Sequence, residues 1–238
     1  ANIRNSIASR VVYQSHFVQG WWRRIYGSGP EGSVIYNGVD LQLFNPAGDE
    51  KPTQTNLRMV MVEGSLLGGY ELGLESAIAL AERVQIVSNR KVELVIAGRV
   101  DDAQKAKWSS RSTVDVNWVG VLANEQIPAL NRSAHLLYSS DINAACPNSV
   151  IEAMACGLPV LAFDTGALKE LITPSAGRVV PYGGDPWKLD PPDIAGLAKA
   201  ATDILNEQSR FRAGARTRAE EAFGLDKMAD AYIEALIG

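Results

Sequence analysis

The sequence predicts an open, parallel α/β sheet with helices on both faces, and three observations carry that prediction. Short apolar, β-branched runs alternate with longer amphipathic stretches along the 238 residues, the pattern of repeated strand-helix units. Several of those runs end directly in Gly, Ser or Asp, residues suited to tight turns at the carboxyl ends of strands. The composition, 46% hydrophobic and 21% charged, is that of a globular chain able to bury a core without disulfide or metal support.

Taken in order, strands are expected at 10–14, 33–36, 59–63, 92–97, 116–119, 135–138 and 159–163, with a last short one at 178–181. Between the first two lies a helical stretch, 16–26, containing Trp21-Trp22-Arg23-Arg24, then the breaker run Gly27 to Gly32. The Trp-Arg segment has two readings, contact with a membrane surface or a helix packed through its Trp residues with solvated Arg, and the second is preferred. Asp190 and Pro191 suit an N-cap and a first helical position, and Ile194, Leu197, Ala198, Ala201, Ile204 and Leu205 then recur on one face. Two further helices are expected at 211–223 and 226–237. Residues 1–32 read as a strand-helix segment and linker, 33–222 as the main domain and 223–238 as a C-terminal helix.

Composition also narrows function. A net charge of -4 argues against a nucleic-acid partner, which needs a basic face. Cys146 and Cys156 lack metal or redox spacing and read as reduced thiols of a cytoplasmic protein. No apolar run approaches the roughly 20 residues of a membrane span, so stable insertion is not expected. The first residues have no signal layout and no initiator Met, which suggests a start inside a longer reading frame. Asp101-Asp102 reads as helix-capping charge rather than a metal pair, and His16 and His135 have no neighbouring ligands, so no metal is expected. No strand is followed by G-x-G-x-x-G, which disfavours a dinucleotide-dependent dehydrogenase.

The most informative stretch runs from Cys146 to Val160: a loop, a short helix, Gly157 as a stop, Pro159, then a buried strand. A helix starting beside the carboxyl ends of strands offers unpaired N–H groups to a cleft, and such groups bind phosphate. Ser149 and Glu152 also have the S-x-x-E spacing of a capping box. Glu152 therefore has two readings, as the cap of its own helix or as a cleft carboxylate.

Three landmarks together resemble the family-4 retaining glycosyltransferases. They are Ser15-His16-Phe17, then Val34 to Asp40 (Val-Ile-Tyr-Asn-Gly-Val-Asp) with Phe44-Asn45-Pro46, then Glu152 to Val160 (Glu-Ala-Met-Ala-Cys-Gly-Leu-Pro-Val). The Asn-Gly-Val-Asp motif alone is weak; joined to the third it is specific, and the likeness covers nearly the whole chain. The resemblance implies the C-terminal, Rossmann-like half of a two-domain GT-B transferase, which holds a nucleotide-diphosphate sugar. It implies that Glu152 binds the ribose hydroxyls and that the amides of Asn148, Ser149 and Val150 face the sugar or its phosphates. Gly64 would let the diphosphate approach the main chain. The segments 118–121, with Val119 and Val121, and Gly98-Arg99 would flank the base, and Thr165-Gly166 would line the same cleft. It also implies transfer with retention and without a metal or other cofactor, fixed dipoles stabilising the departing diphosphate. The implied partner is an N-terminal GT-B domain or separate subunit bearing the acceptor site.

The sequence departs from that family in two places. Where a diphosphate-clamping Arg and Lys are usual, it reads Ser65 and, about five residues on, Gly69 or Tyr70. Losing two charge-assisted contacts of about 1.5–3 kcal/mol each removes roughly 10² to 10⁴ in affinity unless something substitutes. Candidates are the amides of the glycine-rich run Gly64 to Gly69, including Ser65 and Gly68, and the side chain of Arg99. The acidic residue usual eight positions before Glu152 is Ala144, with Asp141 or Asn143 as substitutes. These departures keep open a non-catalytic, interaction-mediating alternative.

Overall fold

The computed structural model describes residues 8–27, 32–68 and 71–237. Gly69 and Tyr70, and residues 28–31 of the expected linker, lie outside the described residues. Two parallel sheets form. A small one pairs β1 (Val11–Tyr13) with β2 (Gly32–Val34), and α1 (His16–Tyr26) connects them. The expected strand at 33–36 therefore pairs with β1 and does not join the larger sheet.

The larger sheet contains β3 (Leu57–Ser65), β4 (Val92–Arg99), β5 (Asp115–Gly120), β6 (Leu136–Ser139), β7 (Val160–Phe163) and β8 (Gly177–Val180), in the spatial order β5-β4-β3-β6-β7-β8. Every pairing is parallel. The crossovers carry α2 (Glu71–Ser88), α3 (Asp102–Arg111), α4 (Ile127–Ser133), α5 (Asn148–Ala155) and the single turn α6 (Leu168–Leu171). Then follow α7 (Ile194–Asn206), α8 (Gln208–Ala222) and α9 (Leu225–Ile237).

The central strands are buried on both sides, which is why they read as continuous apolar runs rather than alternating ones. One face packs on α2 and α7 through Leu74, Ile78, Leu197, Ala201 and Ile204. The other packs on α5 and α8 through Val150, Met154, Ala215 and Ala219. These faces make the expected three-layer architecture.

Two expected boundaries shift. Helix α7 begins at Ile194, capped by Asp193, whose carboxylate accepts from the Gly196 N–H at 2.9 Å. Asp190 instead accepts from the Asp185 N–H at 2.9 Å. Pro192 disfavours helical geometry at the residue before it, so Pro191 cannot open the helix. Strand β3 runs past Glu63 to Ser65, with a register shift against β4 between Val62 and Ser65. Gly64 and Ser65 thus belong to an irregular strand end rather than a free turn.

Other expectations hold. Asp101 caps α3, accepting from the Gln104 N–H at 2.7 Å, and Asp102 pairs with Lys105 at 3.1 Å. In α1, Trp21 and Trp22 are half-buried while Arg23 and Arg24 are exposed. Trp21 stacks on Trp187 with ring centroids 6.4 Å apart. Among the described residues no helix is long and apolar enough to cross a membrane.

The Asn-Gly-Val-Asp segment is pinned to the C-terminal helices. The Val39 N–H donates to the Phe223 carbonyl at 2.7 Å, and the Leu225 N–H donates to the Val39 carbonyl at 3.0 Å. Gly38 is required by this approach, because a Cβ there would lie 2.9 Å from the Cα of Leu225.

Candidate functional site

Sheet order sets the place of the site. From β3 the chain winds outward to β4 and β5, then returns across β3 to begin β6, β7 and β8 on the other side. The carboxyl ends of β3 and β6 therefore face a crevice at a topological switch point, where open α/β sheets bind ligands. A cavity of about 330 Å³ occupies that crevice. Its walls are the end of β3 (Val62, Glu63, Gly64), the end of β4 (Ala97, Gly98), the segment after β5 (Val121, Leu122), Asp141 after β6, and the first turns of α5.

Helix α5 is anchored at its C-terminus and presents its N-terminal turns to this cavity. At its C-terminus Gly157, with φ of +69°, closes a Schellman motif: the Gly157 N–H donates to the Met154 carbonyl at 2.9 Å and the Leu158 N–H to that of Ala153 at 2.8 Å. Arg216 of α8 donates to the Ala155 carbonyl at 2.8 Å. The N-cap is Pro147, which offers no side-chain acceptor, so the first-turn amides are not capped by a side chain. Pro147, Asn148 and Ser149 line the cavity at that end.

Glu152 lies four residues after Asn148 and so on the same helical face, toward the cavity. It makes no capping bond to Ser149, which resolves the two readings of the S-x-x-E spacing against the capping box. Burial pushes its carboxyl above the usual carboxylate range. Among the described residues it has no hydrogen-bond partner in the protein.

Two more carboxyl groups share the cavity. Glu63 accepts from the Ser140 hydroxyl at 3.1 Å and is pushed up to about 8, first by burial and then by the neighbouring charge of Asp141. Asp141 is raised as well, by burial. Among the described residues no Lys or Arg lines the cavity.

Of the residues singled out in the sequence, Gly64, Gly98, Val121, Asp141, Asn148, Ser149 and Glu152 are brought together on this cavity. Val150 is fully buried, its side chain in the core beneath α5. Ser65 and Gly68 are exposed beyond Gly64, outside the lining. Arg99 is exposed at the end of β4, also outside it, because its neighbour Gly98 takes the wall position. Val119 is half-buried against the hydrophobic core and lies behind the wall rather than on it.

Gly166 does not reach the cavity. A Cβ there would sit 2.5 Å from the Ala144 backbone, so the glycine underlies the loop after β6. Thr165 supports the same loop, donating to the Asp141 carbonyl at 3.3 Å. The sequence reading missed Glu63; its signal was an acidic charge directly after the apolar run 59–62.

Comparison with known proteins places these features in context. The family model described as "Glycosyl transferases group 1" matches residues 66–207. The chain is 28% identical over 200 residues to a GDP-mannose-dependent phosphatidylinositol monomannoside mannosyltransferase of Corynebacterium glutamicum, covering 75% of this chain and 50% of that protein. It is 27% identical over 180 residues to a GDP-mannose-dependent alpha-mannosyltransferase of Mycobacterium tuberculosis, covering 75% and 44%. The chain thus spans about half the length of the curated relatives it matches. Among solved structures, sucrose-phosphate synthase of Thermosynechococcus elongatus superposes with a TM-score of 0.75 at 19% identity, over 98% of this chain and 59% of that one. Anabaena HepE, solved in complex with UDP-glucose, superposes with a TM-score of 0.72 at 19% identity, over 99% and 65%.

Proposed function

The chain belongs to the group 1 glycosyl transferases, and from that premise we propose that the cavity at the β3–β6 switch point binds a nucleotide-diphosphate sugar. In this reading the glycosyl group is transferred with retention, without a metal, when the chain acts with a second domain or subunit that brings the acceptor. The observation that carries it is Glu152, a carboxylate on the cavity wall with no hydrogen-bond partner in the protein among the described residues. A carboxylate accepts two charge-assisted bonds from a cis-diol, so a ribose is a suitable occupant. The uncapped first turn of α5 supports the placement of phosphate beside it.

Titration of the chain with UDP-, GDP- and ADP-sugars, followed by melting temperature and by amide NMR shifts, tests the proposal. Stabilisation by one of the three, with shifts centred on 148–152 and on Gly64, is expected. No response to any of them sinks it.

The lining, free of Lys and Arg among the described residues, favours a second reading, a domain that keeps the fold without turnover and serves in protein interaction. Transfer activity by the chain reconstituted with its second domain, abolished by Glu152→Ala, excludes that reading.

A further inference from the structure

Resting on the donor-binding reading above, we propose that Glu63 and Asp141 form a proton-holding carboxyl pair that positions the diphosphate of the ligand. The ligand then enters the cavity with uptake of a proton at alkaline pH. The pair follows from strand register. Val60 of β3 lies opposite Leu137 of β6, and carrying the register three residues on sets Glu63 beside Ser140. The Ser140 hydroxyl bond to Glu63 closes that junction at 3.1 Å, and Asp141 follows directly. Gly98 fixes the other side, since a Cβ there would lie 2.4 Å from the Glu63 carbonyl oxygen. The Glu63 backbone is thereby held close against β4, and Glu63 lines the cavity.

The charges in that space make a proton necessary. Asp141 and Glu152 face Glu63 from the loop after β6 and from α5, and among the described residues no Lys or Arg lines the cavity to offset them. Tyr138 of β6 is buried nearby and neutral, and Arg99 of β4 is exposed outside the lining. A diphosphate brought beside three ionised carboxylates is repelled by all of them, and burial strengthens that repulsion. Once protonated, the pair becomes a hydrogen-bond donor to a phosphate oxygen. It supplies part of what a cation supplies in sites that have one, and the remaining contacts fall to the α5 amides.

The sign follows from where the proton already is. Glu63 holds its proton below about pH 8, so ligand binding is nearly flat there. Above that pH the free protein has lost the proton and must regain it to bind, so affinity falls toward tenfold per pH unit. The test is to measure Kd from pH 6.5 to above 8 (roughly two units around the Glu63 midpoint) with whichever of UDP-glucose, GDP-mannose or ADP-glucose binds. Wild type, Glu63→Gln, Asp141→Asn and Ser140→Ala are compared on the whole chain. Titration of the ligand itself is common to all four proteins and cancels.

Wild-type affinity is expected to fall above about pH 8 while the Glu63→Gln profile stays flat. Asp141→Asn removes a charge that raises Glu63, so its break moves to lower pH. Ser140→Ala removes a hydrogen bond that lowers Glu63, so its break moves to higher pH. The opposite shifts keep the test decisive even where Glu63→Gln does not fold. Identical profiles for wild type and the folded variants overturn the pair while leaving donor binding standing. No binding by wild type at any pH overturns the donor reading, and the pair with it.

Discussion

The Asn37 side-chain amide donates to Asn148 Oδ1 at 2.8 Å and to the Cys146 carbonyl at 2.9 Å. This bridge joins the Asn-Gly-Val-Asp segment to the N-terminal turn of α5, over 111 residues of chain. It explains how two motifs far apart in sequence serve one site. The first holds the helix start whose amides and carboxylate the second provides.

Asn37→Ala removes both bonds and leaves the Cys146 carbonyl without this donor. A loss of about 1–2 kcal/mol in unfolding free energy is expected from denaturant titration. Hydrogen exchange of the amides at 148–150 should speed up more than exchange in β6 or β7.

Glu152→Gln preserves shape and removes charge. Because the carboxylate has no partner among the described residues and is partly desolvated, its ionised form destabilises the fold. Its folded value is raised, so stability is full below the unfolded value and declines as pH rises through the folded one. The variant is therefore expected to melt at the same or a higher temperature at neutral pH. Affinity for the nucleotide sugar falls by roughly 10- to 100-fold. Lower melting temperature together with unchanged affinity would assign Glu152 a structural role.

Gly98→Ala tests the wall between β3 and β4. Gly98 has φ of +142°, and the added Cβ would meet the Glu63 carbonyl oxygen at 2.4 Å. Backbone must move, at a cost on the order of 2–4 kcal/mol, readable by thermal or denaturant unfolding. Ligand affinity should drop with it, since Glu63 and Gly64 move together.

His135 accepts a hydrogen bond from the Arg58 N–H at 3.0 Å and is held neutral by burial, which lowers its value from 6.5 to about 4. Its folded value lies below the unfolded one, so its contribution is complete above 6.5 and disappears as pH falls toward about 4. The melting temperature should decline over that window, and the imidazole proton shifts should stay flat down to about pH 5. A His135 titration near its ordinary value would show the ring to be solvated.

The layered parallel fold was legible because burial on both faces demands uninterrupted apolar runs, and β6 and β7 have them. The helix α5 and its Gly157 stop were legible because caps are local chemistry. Glu152 was legible as a candidate only; Ser149 at capping distance allowed a second role, and the geometry around Pro147 was needed to choose. The start of α7 was misread because Asp190-Pro191 and Pro192-Asp193 offer similar signals, and only Asp193 reaches an N–H of the helix's first turn.

By itself the sequence determined where most strands fall and several of the helices, since those follow from periodicity and from turn residues a few positions apart. Only tertiary structure decided which side chains meet in the crevice. It set Glu63 beside Asp141, put Gly98 rather than Arg99 on the wall, and sent Gly166 beneath a loop. The reason is that strand order and register are settled by packing summed over whole faces, and one residue of register decides which side chain faces the cavity.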